Sequence, residues 1–263
     1  MNTRLDFISA KVTRAEQHIQ DFQRAVASFC ASRPYETGVK IDADAGNRVY
    51  YLVSVRDVPL GVATIAADVL QNLRSALDHI VYQLVLDANP HASAKELKRC
   101  HFPITSTASE YPALRARNVK GVRQDAIDAI DATEPYKGGR GHALWQLSEL
   151  NNIDKHHLLI AVGFYFGGIY ASSFVDKEAP EALKRAMADS GVCFSISELL
   201  PLKSGDQLLA EPLDFEVKDD LRLRFDVSLN HPWIIGCESA LKTLQDLAHL
   251  VSGMVNAFAP FFP

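Results

Sequence analysis

The chain has 263 residues, 48% of them hydrophobic, enough apolar material for one large domain with a substantial core. A formal charge of −5 with 22% charged residues excludes a global basic field that would draw in nucleic acid, so any such contact has to be local. The four cysteines, Cys30, Cys100, Cys193 and Cys237, show no CxxC spacing, and "MNTRLDFISAKVTRAEQ" carries charges where an export signal needs an apolar stretch, so a reducing cytoplasm is expected.

From Arg4 to about Ser32, Leu5, Ile8, Val12, Ile19, Phe22, Val26 and Phe29 recur at helical spacing and predict an amphipathic helix. Residues 39–44 and 48–56 alternate apolar and polar side chains around an Asp-Ala-Gly-Asn turn and predict a hairpin. A long helix is expected from about Val62 to Asp87, ended by Asn89 and Pro90. Between Pro90 and Pro135, only "RQDAIDAIDA" has helical periodicity, with Asp125, Asp128 and Asp131 forming a solvated acidic side. A fourth helix should run from His142 to about His157.

The uncharged run "LLIAVGFYFGGIYASSFV", residues 158–175, approaches the length of a membrane span. Its glycines and its aromatic and branched residues instead suit two buried strands joined at Gly167-Gly168, so no membrane partner is expected. After the helical "EAPEALKRAMADS", residues 192–197, 207–217 and 221–229 alternate like antiparallel strands, with a turn at Asp219 and Asp220. A final helix from Ile234 to about Phe258 packs on the first helix or on a second subunit, and Trp145, Trp233 and the terminal "FAPFFP" read as packing groups. The fold expected is α+β: a helical bundle core of at least four helices with an antiparallel sheet formed by hairpins. The whole chain forms one domain, its strand-rich portion at about 158–230 packed on the helices.

Chemistry concentrates first in "NLRSALDHIVYQLV", residues 72–85. At 100° per residue, Val69, Leu73, Ala76, Leu77, Ile80 and Leu84 share a core face, while Asn72, Ser75, His79 and Gln83 form a polar stripe. Arg74 and Asp78 lie one turn apart on a flank and can pair. The run Arg74, Ser75, Ala76, Leu77, Asp78, His79 resembles the RxxxxH signature of the HEPN superfamily, helical bundle proteins that include many bacterial toxin and antiviral ribonucleases. The resemblance covers this one helix. It implies a metal-independent RNA-cleaving site completed by a homodimer, with His79 moving the proton and Arg74 steadying the phosphorane, Asp78 beside them.

A second polar face, with Glu149, Asn152 and His156 on one side and Asp154 and His157 on another, suits support of His79 or a divalent cation, although HExxH is absent. Two basic stretches are candidates for phosphate contacts, along with Asn72. One is "RARNVKGVR", with Arg115, Arg117, Lys120 and Arg123; the other is the glycine-rich "EPYKGGRGH", where Lys137 and Arg140 precede a helix N-terminus. No GxxxxGK[ST] loop and no cofactor motif is present. Three readings stay open: a HEPN-like endoribonuclease of toxin or defence type, a non-catalytic ligand-binding or interaction protein with a buried polar network, and a metal-dependent hydrolase.

Overall fold

The computed structural model describes residues 3–156, 161–170, 193–199, 201–213, 224–236 and 238–262. His157, the segment 178–190, the turn at Asp219 and Asp220 and Cys237 lie outside the described residues.

Helix α1 (Thr3–Ala31) buries Ile8, Val12, Ala15, Ile19, Phe22, Val26 and Phe29, the stripe that its helical period selects. It packs along α2 (Leu60–Ala88), and Arg4 donates to Asp87 at 2.7 Å, tying the start of α1 to the end of α2. The apolar face of α2 is broad: Leu70, Leu73, Ala76, Leu77, Ile80 and Val81 are all fully buried. Each large aliphatic side chain buried there contributes roughly 1.5–3 kcal/mol. The helix stops at Asn89 because Pro90 excludes helical backbone from the residue before it, and Asn89 has extended torsions, φ −141° and ψ 86°.

Strands β1 (Tyr35–Asp42) and β2 (Asn47–Val55) form the expected antiparallel hairpin, whose turn uses Gly46 at φ 66°. Past α2 come three short helices, α3 (Ala94–Leu97), α4 (Tyr111–Asn118) and α5 (Gln124–Asp131). Only α5 was expected. Helix α4 begins at Tyr111-Pro112, where proline is tolerated in the first turn, so Arg115 and Arg117 sit on a helix rather than in a loop. Helix α6 (His142–His156) packs against α2.

The uncharged run does not turn at Gly167-Gly168. Strand β3 (Ala161–Tyr170) passes straight through both glycines. It pairs antiparallel with β4 (Cys193–Leu199) and with β6 (Arg224–Leu229), giving the order β4-β3-β6. A register irregularity between Phe166 and Gly168 takes the place of the expected turn, as a glycine inside a strand often marks a bulge. Strand β5 (Gln207–Pro212) joins the other sheet, beside β2 in the order β1-β2-β5. The strand-rich part of the chain is thus divided between two small sheets.

The last helical region is broken. Helix α7 (Pro232–Ile235) ends at Gly236, φ 67°, and α8 (Ala240–Phe258) restarts behind Ser239, whose hydroxyl accepts from the Lys242 amide. Helix α8 lies against α1 and α2, and β6 touches both α1 and α8. The molecule is α+β, with a continuous apolar core between the helices and a minor cluster of Leu52, Leu202 and Leu208 under the first sheet. Among the described residues no helix is long and apolar enough to cross a membrane.

Candidate functional site

Helix α2 turns its Arg74–Asp78 flank toward the loop that follows α3. Arg74 donates to the Phe102 carbonyl at 3.0 Å and pairs with Asp78 at 3.1 Å. Asp78 accepts from the Phe102 amide at 2.9 Å, and its other oxygen lies 3.2 Å from His101 Nδ1. From the opposite side, Asn118 at the end of α4 donates to the His101 carbonyl at 3.1 Å. Four polar side chains therefore converge on the His101–Phe102 segment, whose Phe102 ring is fully buried and edge-on to Phe258.

Exposure divides the cluster into an inner and an outer part: the side chains of Arg74, Asp78 and His101 are 13%, 26% and 54% exposed. Desolvation pulls the Arg74 guanidinium down, opposed by the charge of Asp78, and one of its terminal nitrogens is buried without a hydrogen-bond partner among the described residues. The hydrogen bond to the Asp78 carboxylate is the largest influence on His101 and raises it above the ordinary imidazole range, with burial acting against it. This arrangement braces the loop and leaves the His101 side chain about half exposed to solvent.

His79 lies elsewhere. Five residues apart on a helix, it and Arg74 stand about 140° apart around the axis. The His79 ring is edge-on to Tyr82, their centroids 6.2 Å apart. Ser75 and Gln83 are half-buried beside it, and the Asn72 amide donates back to the Asp68 carbonyl at 2.8 Å. On α6, Asn152 and His156 are exposed, while Glu149 and Asp154 are half-buried. Among the described residues no group of three or more His, Cys, Asp or Glu side chains is placed to hold a metal ion. The same helix buries Asn151 at 1% exposure with neither amide atom bonded among the described residues.

The glycine-rich loop spends its amides internally. Gly138 donates to His142 Nδ1, Gly139 to the Tyr136 carbonyl, Arg140 to the Glu134 carboxylate and Gly141 to the Glu134 carbonyl. Arg140 also pairs with Glu134 at 3.5 Å, and Lys137 sits 4.8 Å from the centre of the Trp145 ring. The expected anion cradle is thus a self-satisfied turn that starts α6.

The second basic stretch separates into two groups. Arg115 pairs with Asp131 at 3.2 Å, which also accepts from the Tyr111 hydroxyl at 2.6 Å, and Arg123 pairs with Asp125. Gln124 donates to Asp128 at 2.7 Å, so the acids expected to be merely solvated are largely engaged. Arg117 and Lys120 form no ion pair among the described residues and face a cavity of about 210 Å³ together with Arg99. His101, Arg99 and Asn118 escaped the sequence reading because the groups they meet are distant in the chain; locally, Arg99 and His101 flank the buried Cys100 just ahead of the buried Phe102.

Comparison of the chain with protein-family models, curated proteins and solved structures gives no match. The fold and the site define an α+β protein whose helical core carries a polar clasp beside a basic cavity.

Proposed function

We propose that the protein is a non-catalytic ligand-binding protein in which the Arg74–Asp78 pair is an internal brace. The observation that supports this reading is the commitment of the pair: its hydrogen bonds go to both backbone polar groups of Phe102. An arginine so engaged and so buried has to break a packed contact before it reaches a phosphorane. A second reading, a HEPN-like endoribonuclease acting on RNA as a cytoplasmic homodimer, draws support from one feature, the half-exposed His101 held by Asp78 beside an arginine.

One pair of measurements separates them. Arg74→Ala takes the guanidinium away from the Asp78 carboxylate and leaves the Phe102 carbonyl without its donor, and chemical denaturation should show a loss of about 2–3 kcal/mol. The parent protein, incubated with mixed-sequence RNA in chelator, should leave the RNA intact. Cleavage that disappears in His101→Ala or His79→Ala, with an unaltered unfolding midpoint in Arg74→Ala, would establish the nuclease reading instead.

A further inference from the structure

We infer that the cavity between the end of α2, α3 and the end of α4 binds a small phosphate monoester, with Arg99, Arg117 and Lys120 as its phosphate ligands. This rests on the ligand-binding reading and gives it a site and a ligand class. Three cations and one carboxylate, Glu96, line a cavity of about 210 Å³. None of the three cations is neutralised by an ion pair among the described residues, in contrast to their neighbours Arg115 and Arg123. Glu96 caps α3 through one oxygen, Oε2, which accepts from the Ser93 amide at 2.9 Å and its hydroxyl at 2.8 Å, and the charge of Lys120 across the cavity acts on the same carboxylate without an ion-pair contact among the described residues. A multiply charged phosphate oxygen set is the group that three guanidinium and ammonium donors recognise best.

Size and polarity narrow the class. The volume lies below the roughly 300–1,000 Å³ usual for drug-sized ligands, so a small ester fits and a large cofactor does not. The C-terminal turn of α2, through Val85 and Ala88, forms one wall and brings the negative end of the helix dipole. A ligand gains there by carrying a hydroxyl or amino donor at the end remote from its phosphate. The site binds without attacking: the Cys100 thiol donates to the Glu96 carbonyl, and burial pushes it above the ordinary thiol range, away from the nucleophilic thiolate.

The cavity is coupled to the clasp. Asn118 holds the His101 carbonyl through its amide nitrogen, while its oxygen lies 3.4 Å from Arg117 Nε. The Arg74–Asp78 brace thus fixes the loop against which one wall of the cavity is built.

The test is titration calorimetry of the purified full chain with inorganic phosphate, with glycerol 3-phosphate and with a 20-nucleotide RNA at matched ionic strength. Saturable binding of the two small phosphates is expected, weakened on the order of 10-fold to 100-fold in Arg117→Gln/Lys120→Gln. It should be unchanged in Lys203→Gln, an exposed cation on another part of the surface. Exposed positions make these variants tolerant of substitution, and circular dichroism melting checks that each is folded. Equal small-phosphate binding in parent and double variant, or none in either, overturns the site; if the parent also leaves RNA intact, the ligand-binding reading survives that failure. Phosphate binding lost in the double variant together with RNA cleavage by the parent keeps the site and discards the non-catalytic reading. Preference for the RNA over both small phosphates, lost in the same variant, overturns the small-ligand assignment.

Discussion

His101 carries its imidazole half in solvent while Asp78 holds Nδ1, and that combination gives stability a defined pH dependence. Its folded-state affinity for a proton exceeds its unfolded one, chiefly through the Asp78 hydrogen bond. The associated stabilisation is therefore fully present below the unfolded value, about 6.5, and is lost as pH rises through the folded value. Unfolding free energy measured from about pH 6 upward should decline, and His101→Gln should flatten that decline. A decline of the same size in the variant would assign the dependence to another group. At this scale little was legible beforehand: Arg74 and Asp78 announce their pairing by spacing, whereas Asp78 and His101 are 23 positions apart and no periodicity relates them.

Elements owe their boundaries to local chemistry wherever that chemistry is strong. The α2 period, the β1–β2 turn and the stop at Pro90 were readable as residues and appear as expected. The Gly167-Gly168 pair was misleading, because a glycine pair serves a bulge in a continuous strand as readily as a turn. The α7–α8 break was missed for the converse reason: "GCES" interrupts an apolar period with only one glycine, and Gly236 takes the positive φ that ends the first helix. Gly141 offers a test of how tightly the α6 entry is built. A Cβ there would stand 2.6 Å from the Thr133 carbonyl oxygen and 3.0 Å from that of Glu134, both backbone atoms with little room to yield. Gly141→Ala should destabilise by about 1–3 kcal/mol, seen as a lower melting temperature. Gly46→Asn, whose site is open and whose side chain tolerates positive φ, serves as the mild comparison.

Across the whole molecule, stability should depend most on the shared face of α1, α2 and α8. Phe22, on α1, is fully buried in the apolar core to which all three helices contribute. Phe22→Ala should cost about 3–5 kcal/mol in urea unfolding with an unchanged m-value, and a smaller loss would mean that the junction collapses readily around the vacancy. The amphipathic periods of these helices determined, by themselves, that the chain would bury a helical core and that strands would flank it, because helix and strand periods are properties of neighbouring residues. Only the tertiary structure decided that β5 joins the first hairpin while β3, β4 and β6 form a second sheet. It likewise decided which arginines are spent on carboxylates and which line a cavity, and which histidine Asp78 selects. Those outcomes depend on contacts between residues far apart in the chain, where burial and charge pairing are settled by what the fold brings together.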